Sequence, residues 1–219
     1  MRALIVTTLF LPLAACSGGD GVQSFGGQAM GSTYEVKVVG AADLAAVQAI
    51  VAGELAAFDA TFSNWRPDSE IVRVNAHASE APFPVSQRFA AVLQQALDVA
   101  AATGGAFDPT VKPLTDLYRA AKRDPAHGFD PAAAAAARER IDYRRVLVRD
   151  GAVVKARRDV QFDLDGIVAG AAADAIAARL EPLRLQGLYL EITGEVLCRG
   201  DKGRDGPWRI GVVDPAGGV

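Results

Sequence analysis

Residues 33–39 (TYEVKVV) alternate polar and apolar side chains and are rich in β-branched residues, the signature of a half-buried strand. The period then changes. Leu44, Val47, Val51, Leu55, Phe58 and Phe62 recur at steps of three or four, which predicts one apolar helix face over about 43–62. Turn chemistry in 64–69 (NWRPDS) ends that helix, and 69–75 has room for a short one. Ser86 suits an N-cap; Phe89, Val92, Leu93, Ala96 and Ala100 form the next apolar face, closed by Gly104-Gly105. Asp130-Pro131 opens a third helix through the alanine run 132–137. The runs 145–149 and 152–156 flank Asp150-Gly151, a type I′ hairpin signal. Beyond it, 160–164 reads as an apolar strand and 167–180 as a helix of small residues. Three glycine-separated strands follow at 188–193, 195–199 and 208–213, with Gly194 marking a bulge. Helices and strands mix without strict βα alternation, so the expected class is α+β, a single domain of mixed helices and mainly antiparallel sheet.

Charge narrows the function. With 23 Lys+Arg against 26 Asp+Glu and no basic run, the chain lacks the footprint of a nucleic-acid binder. No stretch of about 18 apolar residues is present. Arg2 precedes an apolar run over 3–15, short for a span and right for a signal-peptide core. That run ends Leu13-Ala14-Ala15-Cys16, a lipobox pattern in which small residues admit the peptidase and the Cys16 thiol accepts lipid. The expected organisation is a signal peptide over 1–15, a flexible tether over 16–29 and the functional domain over 30–219. The expected address is the bacterial inner membrane, lipid-anchored and facing the periplasm. An ordinary signal peptide with a chance cysteine is the alternative. Cys198 is the only other cysteine, so a lipidated Cys16 leaves no intrachain disulfide. His77 and His127 lie in loop-like sequence and read as solvated residues.

Several segments carry candidate chemistry. In 103–111 (TGGAFDPTV) two glycines allow backbone to approach a ligand, with Asp108 and Thr110 beside them; a helix C-cap and turn is the plainer reading. In 163–170 (DLDGIVAG) acids end an apolar strand and a helix of small side chains starts at once. Such a helix N-terminus attracts anions, and Asp163 and Asp165 suit a hard cation held against phosphates; simple capping is the alternative. Thr193-Gly194-Glu195, with Glu191, forms a third cluster. Trp65 suits stacking on a flat ring or packing in the core. There is no G-x-S-x-G, no Cys/His dyad and no His-rich metal pattern.

Taken in order, 30–34 (MGSTY), 62–70 (FSNWRPDSE) with Arg73 and Asn75, 103–111 with Pro113-Leu114, 163–170 with Asp174, 191–195 (EITGE) and 207–211 (PWRIG) resemble the bacterial FAD:protein FMN transferases, the ApbE-type lipoproteins. The resemblance implies FAD as substrate, Mg²⁺ as cofactor, and transfer of FMN to a Thr hydroxyl of a periplasmic or membrane redox protein with release of AMP. It places Met30 and Trp65 at the flavin nucleotide, Ala106, Phe107 and Asp108 on a second FAD-contacting segment, Asp163 on a third, and the Gly166 carbonyl at Mg²⁺. The family usually has a charged or polar residue where Ala169 stands. Its members also continue past 208–215 with H-x-x-D-P and D-x-x-x-T motifs, so the expected domain is truncated at its C-terminal end. No catalytic base is assigned, and the chain as it stands is expected not to transfer FMN at a normal rate. The competing reading is a non-catalytic periplasmic FAD-binding accessory lipoprotein, or an inactive fragment.

The lipobox reading has a direct test. A fatty-acid analogue fed to cells is expected to label the chain, and Cys16→Ser is expected to lose the label; label that persists on the Ser variant contradicts it.

Overall fold

The computed structural model describes residues 21–40, 43–124 and 128–212. Cys16 with its lipobox, His127 and residue 213 lie outside the described residues. The first elements are the strands β1 (Gln23–Ala29) and β2 (Ser32–Val39), then the helices α1 (Leu44–Phe62) and α2 (Glu70–Ala76). A two-residue strand β3 (Phe83–Pro84) leads to α3 (Gln87–Ala102), α4 (Lys112–Arg123) and α5 (Pro131–Arg138). The hairpin β4 (Val146–Arg149) and β5 (Ala152–Lys155) follows, then α6 (Asp165–Leu180) and the strands β6 (Gly187–Ile192) and β7 (Glu195–Gly200). Every strand pair is antiparallel. One sheet runs β1-β2-β6-β7 and the other β3-β5-β4, so the α+β expectation holds.

The larger sheet is covered by helices on one face. Register pairs Val36 with Leu190 and Val38 with Leu188, and all four are buried, as period-two alternation requires. Against them pack Val47, Val51, Leu55, Phe58 and Phe62 of α1 and, from α6, Ile176 with the small side chains of Ala172, Ala173 and Ala177. Alanines on α6 let the two helices approach closely. The opposite face carries Lys37, whose Nζ sits 4.8 Å from the Tyr189 ring centroid, and Tyr189 against Trp208 at 5.7 Å.

Side-chain caps fix the helix starts where expected. Asp43, Ser69, Ser86 and Asp130 each accept a hydrogen bond from a first-turn N–H. Asp150 (φ 54°) and Gly151 (φ 71°) form the type I′ turn of β4–β5.

Five features differ from expectation. Residues 23–29, expected as tether, form β1, paired along its whole length with β2. Helix α4 was not foreseen. Gly194 (φ 102°) follows Thr193 (φ 54°) in a two-residue turn between paired Ile192 and Glu195, so it makes a tight hairpin rather than a bulge. Residues 208–212 form no strand, because no described strand lies beside them; Trp208 Nε1 instead donates to the Arg199 carbonyl at 3.2 Å.

The fifth difference matters most. Residues 160–164 are largely buried, but they pair with a side chain rather than a strand. The Phe162 N–H donates to Asn75 Oδ1 (2.7 Å), and Asn75 Nδ2 donates to the Phe162 carbonyl (2.9 Å). Asp163 N–H donates to the Pro109 carbonyl at 2.9 Å. The Asn75 amide thus takes the place of a neighbouring strand and satisfies two buried backbone groups, each worth about 1–3 kcal/mol if left unpaired. Lys155 supports it from below. Its buried ammonium donates to the carbonyls of Val74 (2.7 Å) and His77 (3.1 Å), at the C-terminal end of the helix that carries Asn75.

Burial pushes the Lys155 ammonium from its ordinary 10.5 down to about 8. Between those values the unfolded chain holds a proton that the folded chain has shed, so this group's contribution to stability rises with pH from about 8 to 10.5. Thermal unfolding of wild type and Lys155→Met across that window is expected to show a positive slope for their difference; parallel curves contradict it.

Candidate functional site

Two hairpin tips meet at one end of the larger sheet. Met30 (φ 52°) and Gly31 (φ 77°) turn β1 into β2, with Ala29 opposite Ser32. Thr193 and Gly194 turn β6 into β7, and the Thr193 N–H donates to the Thr33 carbonyl at 3.0 Å, which ties the tips together. Glu191 Oε1 accepts from the Gly194 N–H (2.7 Å) and Glu195 Oε2 from the Thr193 hydroxyl (2.8 Å), so both acids brace the turn.

Beside the tips, the end of α1 turns sharply. Ser69 Oγ donates to the Ser63 carbonyl (2.7 Å) and accepts from the Val72 N–H (3.3 Å), closing the loop that holds Asn64 and Trp65. Arg66 braces its outside, reaching Asp68 at 2.9 Å and Asp59 at 3.2 Å, and its hydrogen bonds hold the Asp68 carboxyl below the usual range. Trp65 is 73% exposed, so it is a rim residue and not part of the core.

The third wall is the start of α6. No side chain caps its first turn through the N-cap position, Leu164; the Asp165 N–H instead donates to Asp163 Oδ1 at 3.1 Å. Together these elements enclose a cleft of about 270 Å³ lined by Met30, Ser32, Asn64, Trp65, Asp165, Ala169 and Thr193, among others. That volume suits one end of a dinucleotide rather than the whole molecule. Asn64 Nδ2 donates to Asp165 Oδ1 at 3.0 Å, while Asn64 Oδ1 is shut off from solvent with no partner. A hydroxyl or N–H on a ligand is the complement of that orphaned acceptor.

Of the residues picked from the sequence, Met30 and Trp65 both line this cleft. Ala169 forms part of its floor and is buried. Phe107 reaches the helix start: its ring lies 3.4 Å from where a Cβ on Gly166 would stand. Ala106 and Asp108 line a second cavity of about 570 Å³ with Gly104, Gly105, Tyr143 and Arg144. Asp108 is committed to the loop. Its Oδ1 accepts from the Thr110 N–H (2.8 Å) and hydroxyl (2.6 Å), and its Oδ2 from the Tyr143 N–H (3.0 Å). Asp163 is buried and turned toward α4, accepting from the Thr115 hydroxyl at 2.8 Å. The acid that faces the cleft is Asp165. Burial and the neighbouring Asp163 carboxylate push its carboxyl up, against the pull of Arg119 and Asn64.

Arg119 is the site residue that sequence reasoning missed. Its Nη2 lies 2.7 Å from Asp165 Oδ2 and 3.2 Å from Asp163 Oδ2. The signal for its helix was present: Leu114, Leu117, Tyr118 and Ala121 recur at i, i+3, i+4 and i+7. His77 lies elsewhere, against Phe83 and the Ala81 carbonyl.

A family model described as the ApbE family matches residues 30–219. The FAD:protein FMN transferase of Salmonella typhimurium is 31% identical over 228 residues, covering 98% of this chain and 65% of the relative. Among solved structures, the apo flavinyl transferase ApbE of Pseudomonas stutzeri superposes with a TM-score of 0.81 at 30% identity, covering 93% of this chain and 66% of that one. The flavin transferase ApbE of Vibrio cholerae gives 0.78 at 28%, covering 89% and 65%. The chain therefore spans about 65% of the length of the curated relatives it matches.

Proposed function

The chain belongs to the ApbE family, and from that membership we propose that it serves as an FAD:protein FMN transferase whose flavin nucleotide enters the cleft between the hairpin tips and the start of α6. The observation that carries this reading is the cleft itself. An exposed tryptophan, an orphaned acceptor on Asn64 and the first turn of a helix converge on it. Trp65 offers a ring face for stacking at the rim, and Met30 adds a polarizable side chain to the lining. The first-turn N–H groups of α6 and its positive dipole end suit a diphosphate. Phe107 packs the glycine-flanked loop of Ala106 and Asp108 against that helix start, which brings this loop beside the site.

Mg²⁺ fits the same place. The ion prefers oxygen ligands and is commonly held by one or two carboxylates, waters and substrate phosphates. Asp165 presents a half-exposed carboxylate to the cleft, and the family resemblance adds the Gly166 carbonyl as a ligand. Among the described residues no group of three or more His, Cys, Asp or Glu is gathered. When bound, the ion neutralises charge on the phosphates. In the reaction proposed here, a Thr hydroxyl of an acceptor redox protein attacks the phosphorus of the FMN half. The bond to the bridging oxygen breaks, AMP leaves with that oxygen, and the hydroxyl proton passes to a base. The chain's own residues orient the ring, hold the diphosphate and position Asp165 through Asn64. The acceptor is a protein at the periplasmic face of the inner membrane, where Cys16 tethers the domain by lipid.

Flavin fluorescence tests the binding half of this reading. Trp65→Ala is expected to weaken FAD binding roughly tenfold, the stacking contribution of one aromatic ring. Asp163→Asn, measured with Mg²⁺, is expected to weaken it as well, because Asp163 holds the Asp165 backbone. Wild-type affinity in both variants contradicts the site. Transfer is read by in-gel fluorescence of a Thr-containing acceptor incubated with FAD and Mg²⁺.

A further inference from the structure

Charge is spread unevenly over the surface. Residues 138–159 hold seven arginines and four acids, although the chain as a whole carries a net charge of −3. Lys155 of the same stretch is buried and adds nothing outside. The arginines are dispersed along the sequence and gathered by the fold. Arg145 Nη1 (3.0 Å) and Arg157 Nη1 (3.2 Å) both donate to the Glu139 carbonyl at the end of α5, where the helix dipole favours cations. Arg138, Arg144 and Arg145 line one open cavity there. Three of the four acids are already matched. Asp142 lies 3.5 Å from Arg144 and 3.4 Å from Arg145, Asp150 lies 3.3 Å from Arg149, and Asp159 pairs with Arg157. Among the described residues, Arg138 and Arg158 are exposed and meet no acid at ion-pair distance.

The β4–β5 hairpin joins an apolar centre to this charge. Val146 and Val153 point into the core and are buried. By alternation Leu147 and Arg149 point away from it, paired across the hairpin with Val154 and Ala152. Leu147 is 62% exposed, and the Arg149 and Arg144 side chains are 76% and 66% exposed. An uncovered leucine therefore stands among guanidinium groups.

We propose that this face docks on an anionic phospholipid surface, with the arginines on headgroup phosphates and Leu147 at the boundary between headgroups and acyl chains. Charge complementarity selects that occupant. Near an anionic leaflet each basic residue strengthens binding about fivefold, and a guanidinium meets a phosphate through two parallel hydrogen bonds. The exposed leucine adds a second demand, for a partner anionic at its surface and apolar just beneath, which is a bilayer. The proposal goes beyond FMN transfer and does not depend on the flavin cleft: it fixes which side of the domain faces the membrane.

The test is sedimentation of the full chain with vesicles of phosphatidylcholine alone or mixed with phosphatidylglycerol. The apolar run over 3–15 enters both kinds alike, so the difference between them reports the arginine face. Wild type is expected to bind the mixed vesicles more tightly and to lose that margin in high salt. Arg144→Gln combined with Arg149→Gln is expected to cut the margin about fivefold per arginine. Lys at both positions is expected to keep most of it, which separates lost charge from misfolding. Leu147→Asn is expected to weaken binding to the mixed vesicles with its salt dependence unchanged. Equal binding of wild type to both vesicles overturns the proposal, as does a margin that survives both Gln substitutions. Self-association of wild type without vesicles, abolished by the Gln pair, assigns the face to a second copy of the chain and overturns the lipid reading.

Discussion

The site depends on how a buried segment outside any strand satisfies its backbone. Residues 160–164 run through the core with no strand beside them, and a buried peptide group without a partner is costly. The Asn75 amide meets that demand because its carbonyl and amino groups stand in the same order as those of a strand neighbour. Its reach spans 87 positions of sequence, from the short α2 to Phe162. Lys155 fixes the helix from which the amide projects. Everything after Phe162 inherits that placement: Asp163 turns toward α4, Asp165 faces the cleft, and α6 starts with its first turn open.

Around that anchor the cleft is assembled from parts that favour convergence. Positive φ at Met30 and Thr193 gives both hairpins the tight turn whose twist matches their strands, so the tips sit level and bond to each other. The end of α1 is closed by Ser69, which leaves Trp65 outside and Asn64 inside. Charge at the helix start is balanced locally, two carboxylates against one guanidinium. An anionic ligand therefore meets a site with one excess negative charge rather than two, beside the positive end of a helix dipole.

Much of the fold is legible in the chain because strong periodicity leaves little choice. The α1 stripe, the Ser86-capped α3 and the Asp150-Gly151 hairpin each follow from residue spacing and turn chemistry. The exceptions share a cause. In 160–164 the apolar run announces burial but cannot say where the backbone bonds go, and a side chain took the place of a strand. In 23–29 the glycines and glutamines hide a strand that exists through its pairing with β2. In 208–212 alternating residues lack a ladder to join. The site divides the same way. Met30 and Trp65 could be picked by residue type and turn context. Asn64 and Arg119 meet Asp165 across 101 and 46 positions, distances over which local spacing carries no information.

The central claim is that the start of α6, placed by Asn75, is the diphosphate end of a flavin-nucleotide cleft. A crystal structure of the chain grown with FAD and Mg²⁺ tests it most directly. The account predicts an isoalloxazine or adenine ring between Met30 and Trp65, with the diphosphate at the first turn of α6 next to Asp165. FAD bound away from both the hairpin tips and that helix start would contradict it.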